Sequence, residues 1–140
     1  MLKEGQVRIP SGCAIAAIID RKGGLINGSE IIKSIALMHD RSNGLGGGFA
    51  AYGIYPDYKD LYAFHIFFDN RSVRKECEAY LKERFEVVKG EIIPTRKIPE
   101  ITDEPIIYRY FVSPLQSMVE AEQVDEKEFT ARTVVKINTE

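Results

Sequence analysis

The sequence predicts an α+β protein in which neighbouring strands pair mainly antiparallel. Three observations favour this class. Helical patterns with apolar residues three or four apart alternate with short runs of β-branched and aromatic residues. Two of these runs, residues 46–56 and 61–69, are joined by a turn-forming Pro-Asp-Tyr-Lys-Asp segment, so we expect them to be antiparallel neighbours. The length of 140 residues suits one folding unit, residues 1–140.

The first predicted elements are a strand, a turn and a helix. Residues 13–20 form a short apolar run, between Gly12 and an Arg-Lys-Gly-Gly turn, that is typical of a fully buried strand. Ser29 is the predicted N-cap of the following helix, and Asn43-Gly44 is its predicted end. The helix places four apolar side chains on one face, which we expect to lie on a sheet: Ile31, Ile32, Ile35 and Met38.

The middle of the chain predicts two strands and an amphipathic helix. Strands are expected at residues 46–56, which contain several glycines, and at residues 61–69. Asn70 is the predicted N-cap of the helix, and Glu78 should lie on its outer face. Cys77 lies on the apolar face of this helix, so a packing role is expected for it.

The last third of the chain predicts strands at residues 85–94 and 106–112, followed by helical segments. Residues 113–116, Ser-Pro-Leu-Gln, have the pattern of a capping box. Residues 125–128 repeat that pattern and predict a short helical turn, with Val124 and Phe129 as a hydrophobic staple. Residues 133–137 alternate like the start of a strand, which predicts a sheet completed by an earlier strand or by another polypeptide.

The composition of the chain limits the kinds of binding partner that are expected. The chain is 44% hydrophobic and 29% charged, with a net charge of −2, which is typical of soluble globular domains and predicts no binding to nucleic acid. No apolar run approaches the roughly 18 residues of a membrane span, so no membrane association is expected. The N-terminus lacks the apolar region of a secretory signal, and two distant cysteines predict no disulfide framework. We therefore expect a cytoplasmic protein with two free thiols.

Cys13 has two interpretations. A cysteine on an apolar strand is, taken alone, a small core residue. The surrounding pattern favours a nucleophile: a short leader, a Gly12-Cys13 junction, an apolar strand, a glycine turn, a helix and a glycine-rich strand follow in order.

That pattern resembles the glutaminase domain of class II glutamine amidotransferases, which are N-terminal-nucleophile hydrolases, and is most similar to the glutamate-synthase type. Cys13-Ala14-Ile15 matches the cysteine and apolar strand at the mature N-terminus of the family, and residues 38–53 match the region around its His-Arg-Gly signature. Arg41 takes the arginine position. Asp40 and Ser42 stand where the family has histidine and glycine, so the hydrogen bonding around Arg41 departs from the family pattern.

The resemblance implies a layered α/β sandwich with mainly antiparallel sheets, whole or in part, and an N-terminal cysteine nucleophile. Cleavage between Gly12 and Cys13 would release residues 1–12 as a propeptide and leave residues 13–140 as the N-terminal part of a glutaminase-like domain. Cys13 would then be catalytic, supported by Arg41, Gly47 and Gly48. The free amine of Cys13 would act as the general base for its own thiol.

The resemblance also implies the reaction and the partners. Glutamine would be the substrate, and its ammonia would pass to a synthase subunit or domain that adds it to an acceptor. No cofactor and no metal are implied, and both homo- and hetero-oligomers remain open. The family's second arginine, oxyanion-hole Asn-Gly pair and substrate-binding aspartate lie further along the family sequence and have no match here. Turn chemistry accounts for the pairs Asn27-Gly28 and Asn43-Gly44.

Three other features have simpler interpretations. His39 follows a helical face at its C-terminal end and suits a solvated capping role, whereas His65, in an aromatic strand, suits a hydrogen-bonded structural role. Two distant histidines make no zinc signature. The glycines at 44–48 lead into a strand without a following Lys-Ser or Lys-Thr, against a phosphate-binding loop.

Two functional classes therefore remain open. The first is a glutaminase module with Cys13 as its nucleophile. The second is a non-catalytic α+β regulatory or assembly subunit with a related fold.

Overall fold

The computed structural model describes residues 13–38 and 48–139. The chain divides into two compact units, Met1–Ala51 (unit 1) and Tyr52–Glu140 (unit 2). The described residues contain four α-helices and a three-stranded antiparallel sheet. The predicted α+β class is therefore confirmed.

Unit 1 contains one described helix, α1 (Gly28–Ala36). Asn27 is its N-cap, because the Asn27 side chain accepts a hydrogen bond from the backbone N–H of Ser29 at 2.9 Å. The prediction of Ser29 as the cap was wrong by two residues. The helix ends at Ala36, before the predicted end at Asn43-Gly44, which lies outside the described residues. No residue of α1 is buried, so its apolar face does not cover a sheet within the described part of unit 1.

The predicted strand at residues 13–20 was wrong. These residues form no strand, and Ile15 and Ile19 are 88% and 83% exposed. An apolar run becomes a buried strand only when neighbouring strands satisfy its backbone groups, and the described part of unit 1 contains no strand to do so.

The predicted strand at residues 46–56 was also wrong over its described part. Residues 48–55 form no strand, Gly53 has a positive φ of 68°, and a 3₁₀ turn spans Pro56–Tyr58. Because Gly53 adopts a left-handed conformation, the chain bends where the prediction required it to stay extended. Residues 46 and 47 lie outside the described residues.

Unit 2 is built around the sheet. Its elements are, in chain order, β1 (Tyr62–Phe68), α2 (Arg71–Arg84), β2 (Phe85–Ile92), β3 (Ile106–Pro114), α3 (Gln116–Glu122) and α4 (Glu126–Thr139). The strand order is β1-β3-β2, and β3 is antiparallel to both neighbours. The strands β1 and β2 therefore run parallel, with α2 as their crossover and β3 inserted between them, which is a split βαβ arrangement.

The helix α2 follows its predicted signals closely. Asn70 caps it, accepting hydrogen bonds from the backbone N–H groups of Ser72 and Val73 at 2.9 and 3.1 Å. Leu81 is fully buried, and Cys77 packs against the core, as predicted. Glu78 was wrongly placed on the outer face, because its carboxylate accepts a hydrogen bond from Tyr110 on β3.

The C-terminal part of unit 2 is helical. Asp125 caps α4, accepting from the backbone N–H of Glu128 at 2.8 Å, as predicted. The strand predicted at residues 133–137 was wrong, because α4 continues to Thr139. The hydroxyls of Thr130 and Thr133 donate to carbonyls four residues earlier, at 2.8 and 3.1 Å, so these β-branched residues are accommodated within the helix.

The capping box predicted at residues 113–116 was wrong as well. Ser113 and Pro114 belong to β3, and α3 begins at Gln116 with Leu115 as an N-cap that makes no side-chain hydrogen bond. Because Pro114 pairs with Phe85 on β2, the strand β3 continues two residues beyond its predicted end at residue 112.

The core of unit 2 lies between one face of the sheet and the helices. Its buried apolar residues are Phe64, Phe68, Leu81, Phe85, Tyr110, Val112, Val119 and Phe129. The opposite face of the sheet carries a separate polar and aromatic group of side chains.

Candidate functional site

Of the predicted site residues, the structure describes Cys13 and Gly48. Gly12, Arg41 and Gly47 lie outside the described residues, as does His39. Cys13 is exposed, and among the described residues a Cβ added at Gly48 would meet no atom within 4 Å.

The two thiols lie in different environments. Cys13 is exposed in an irregular segment, whereas Cys77 is partly buried against the core of unit 2. Burial raises the pKa of the Cys77 thiol, and the neighbouring Glu78 carboxylate raises this pKa further. Because the thiolate is the reactive form of cysteine, the raised pKa makes the Cys77 thiol a poor nucleophile.

A turn organised by Asp20 follows the Cys13 segment. The Asp20 carboxylate accepts hydrogen bonds from the backbone N–H groups of Lys22 and Gly24 at 2.8 and 2.9 Å. Gly23 has a positive φ of 73°, and a Cβ added at Gly24 would clash with a carboxylate oxygen of Asp20. The predicted glycine turn is therefore confirmed, and both glycines have a geometric reason to be there.

A second group of side chains lies on the face of the sheet opposite the core. His65, Arg109 and Glu91 form one row across the three strands, since His65 pairs with Arg109 and Arg109 pairs with Glu91. Tyr55 contributes its hydroxyl from the preceding loop, and Lys89 lies two residues before Glu91 on β2. We call these five residues the polar row.

Hydrogen bonds connect the whole polar row. Arg109 donates from Nε to a carboxylate oxygen of Glu91 at 2.9 Å, and its Nη2 contacts the same oxygen. Lys89 Nζ lies 2.8 Å from the other Glu91 oxygen. Arg109 Nη1 donates to the Tyr55 hydroxyl at 3.0 Å, and that hydroxyl lies 2.8 Å from His65 Nε2.

The Tyr55 hydroxyl joins Arg109 to His65. A guanidinium only donates, so the hydroxyl accepts from Arg109 Nη1, and it shares a second hydrogen bond with Nε2 of His65. Burial and the nearby Arg109 charge both lower the pKa of His65, which disfavours the protonated imidazole. The prediction that His65 is hydrogen-bonded is confirmed.

Aromatic contacts beside the polar row hold the loop of residues 55–58 against the sheet. Tyr58 stacks on Phe111 with ring centroids 3.9 Å apart, and Tyr55 contacts the same ring edge-on at 5.0 Å. The Arg109 guanidinium lies over the Tyr55 ring at 4.7 Å. These ring contacts, together with the hydrogen bond that Tyr55 accepts from Arg109, hold this loop against the sheet.

The polar row predicts a pH dependence of folding. The folded state lowers the pKa of His65, so the unfolded chain binds more protons as pH falls below about 6.5, and stability decreases there. Urea unfolding between about pH 7.5 and about pH 5 should show a small loss of stability that His65→Gln reduces. The glutamine amide can still hydrogen-bond to Tyr55 but does not titrate. Identical pH profiles for both proteins would contradict this role of His65.

A small cavity lies on the core side, between α2 and β2. Its volume is about 160 Å³, and its lining residues are Glu78, Leu81, Lys82, Val87, Gly90 and Tyr110. The Tyr110 hydroxyl donates to Glu78 at 2.8 Å, and burial is the main reason that the pKa of Tyr110 is raised. A Cβ at Gly90 would lie 2.9 Å from the Tyr110 ring, so glycine gives that ring its space.

Within residues 13–38 and 48–139, no three His, Cys, Asp or Glu side chains are grouped so that they could hold a metal ion. In the same ranges, no helix combines the length and apolar character needed to cross a membrane.

Comparison with known proteins identifies an archaeal relative of this chain. The chain is 39% identical over 129 residues to an uncharacterized protein of Archaeoglobus fulgidus, an alignment that covers 91% of this chain and 34% of the relative. The chain thus spans about a third of the length of that relative. No protein-family model matches the chain, and no solved structure matches it.

Proposed function

We propose that this chain carries the nucleophile of a class II glutamine amidotransferase of the glutamate-synthase type, with the layered fold of N-terminal-nucleophile hydrolases. The observation that carries the proposal is the solvent-exposed Cys13, directly after Gly12 and before an apolar segment and a turn. The contrast with Cys77, which is partly buried and has a raised thiol pKa, supports Cys13 as the reactive thiol.

The proposed reaction begins with removal of residues 1–12. The new amine of Cys13 takes the proton of its own thiol, and the thiolate attacks the side-chain amide carbon of glutamine. The C–N bond breaks, the nitrogen leaves as ammonia with that proton, and a thioester remains. Water then cleaves the thioester, which releases glutamate and restores the thiol. Arg41, Gly47 and Gly48 are the proposed supporting residues.

The relative's length is compatible with this proposal. The family's second arginine, its Asn-Gly pair and its aspartate are not matched in this chain, and about two thirds of the relative lies outside the alignment. In this proposal, the second arginine, the Asn-Gly pair and the aspartate would be sought in that additional sequence. In this proposal the ammonia passes to a synthase partner in the cytoplasm.

The structure also favours a second candidate, a non-catalytic regulatory or assembly subunit. The specific observation is that the polar row is engaged in contacts within unit 2: Arg109 bonds to Tyr55 and Glu91, and Lys89 pairs with Glu91. These contacts hold a loop on the sheet, and such a structural role favours a non-catalytic subunit as the second candidate.

Selective chemistry at Cys13 tests the first candidate. A chloroketone analogue of glutamine should modify Cys13 faster than Cys77 by about tenfold or more, and free glutamine should slow the reaction at Cys13. Peptide mass spectrometry measures both rates, and intact mass shows whether residues 1–12 are removed from the natively produced protein.

Two controls distinguish specific recognition of glutamine from simple exposure of the thiol. Iodoacetamide reports the exposure of each thiol without resembling glutamine, and asparagine is a matched competitor that is one methylene shorter. If glutamine gives no protection, or if the analogue modifies both thiols equally, the amidotransferase proposal fails.

A further inference from the structure

The strand β1 is an edge of the sheet of unit 2. It pairs with β3 along an unbroken register from Tyr62 to Phe68, and its other side has no ladder partner among the described residues. An edge strand presents unpaired backbone N–H and C=O groups that can pair with another strand. All three described strands of unit 2 already belong to this sheet, so none of them is left to cover the edge.

The two edges of the sheet differ in their protection. The strand β2 carries a bulge between Val87 and Lys89, together with the charged residues Glu86, Lys89 and Glu91. Bulges and charges are the usual features that prevent strand pairing at an exposed edge. By contrast, β1 has the sequence Tyr-Ala-Phe-His-Ile-Phe-Phe, without a bulge, a proline or a lysine.

The single titratable group within β1, apart from its tyrosine hydroxyl, is His65. The Tyr55 hydroxyl lies 2.8 Å from its Nε2 atom, and the positive charge of Arg109 on the neighbouring strand disfavours a second positive charge on the imidazole. Residues 62–68 contain no lysine, arginine, aspartate or glutamate that would repel an identical strand. Phe67, on the face opposite the core, is 66% exposed.

We propose that a second copy of this chain pairs with β1 in antiparallel orientation, which joins two sheets into one of six strands. The strand is self-complementary about His65. A two-fold axis there places Tyr62 opposite Phe68, Phe64 opposite Ile66 and Ala63 opposite Phe67, each pair on one face of the sheet. In each of these three pairs an aromatic residue meets an aromatic, β-branched or small residue, and such pairs stabilise antiparallel strands. At the axis itself, His65 lies opposite His65 of the second copy.

The dimer should be weak and dependent on concentration. A seven-residue strand pair buries less than the roughly 1,200–2,000 Å² typical of stable interfaces. Tyr62 and Ile66 are only partly buried within one copy, so contact with the second copy would reduce the exposed surface of both side chains. The proposal does not depend on Cys13 or on amidotransferase activity.

Analytical ultracentrifugation of the full chain, from about 10 to about 500 µM, tests the proposal. A monomer–dimer equilibrium is expected. Phe67→Lys should raise the dimer dissociation constant by about tenfold or more, since it places a solvated charge on the edge. Val135→Lys is the matched control, because Val135 is 61% exposed and belongs to α4, not to the edge strand, so it should change the constant by less than about twofold.

Hydrogen exchange locates the interface. Raising the concentration should slow exchange of the backbone amides in β1 while exchange in β2 stays unchanged. Circular dichroism of both variants confirms that each folds. A monomer across the whole concentration range, a dimer that Phe67→Lys leaves intact, or β1 amides that gain no protection would each overturn the proposal.

Discussion

Replacing Phe129 with alanine is expected to destabilise unit 2 by about 3–5 kcal/mol, the usual cost of removing a fully buried aromatic ring. Phe129 has no exposed surface. Its ring lies 5.5 Å from the ring of Phe85 at the start of β2, and the Arg84 guanidinium lies over it at 4.3 Å. The substitution therefore removes the contact that holds α4 against the sheet and leaves a cavity in the core.

Urea unfolding followed by far-ultraviolet circular dichroism measures this loss. Val135→Ala is the control, because Val135 is exposed on the same helix and its truncation should change stability by no more than about 0.5 kcal/mol. A loss below about 1 kcal/mol for Phe129→Ala would mean that α4 does not pack on the core as described.

Phe129 also illustrates how the sequence misled the prediction for α4. Thr133, Val134, Val135 and Ile137 read as an alternating strand because their side chains are β-branched. In the structure the buried residues of this segment are Phe129, Thr130 and Thr133, at helical spacing. Extending the apolar pattern back to Phe129 and to the Asp125 cap would have favoured one long helix.

The elements predicted well are those with strong local signals. The helix α2 has the Asn70 cap, and the strands β1 and β3 are mostly apolar and aromatic. The strand β2 begins with the apolar residues Phe85, Val87 and Val88. The predicted strands of unit 1 failed because burial of residues 13–20 depends on neighbouring strands, which no local pattern specifies. The composition of residues 13–20 identifies them as apolar but does not indicate which strand would pair with them.

The sites were predicted to different extents. Cys13 was predicted as a nucleophile from its sequence context; the structure shows that it is exposed, and its role stays a prediction. The polar row was missed because Arg109 meets His65 and Glu91 only through the register of the sheet. The bulge between Val87 and Lys89 sets which face Glu91 occupies, and that bulge has no sequence signal except the nearby Gly90.

Arg84 is the residue whose removal should most weaken the junction of the helices in unit 2. Its Nη2 lies 2.7 Å from a carboxylate oxygen of Glu122 on α3, and its Nε donates to the Thr133 hydroxyl on α4 at 3.0 Å. The side chain is only 13% exposed, so its charge cannot regain full hydration when a partner is lost.

Arg84→Met is expected to cost about 2–3 kcal/mol, because it keeps the aliphatic stem but removes the ion pair and the hydrogen bond to Thr133. A double-mutant cycle with Glu122→Gln should give a coupling energy of about 1–2 kcal/mol that changes little with added salt, since a partly buried pair is poorly screened. The matched control is Arg132→Met, which breaks an exposed pair with Glu128 and should cost at most about 0.5 kcal/mol. If Arg84→Met costs no more than this control, then the ion pair with Glu122 does not hold α3 to the end of α2, and packing around Phe129 alone joins the helices to the sheet.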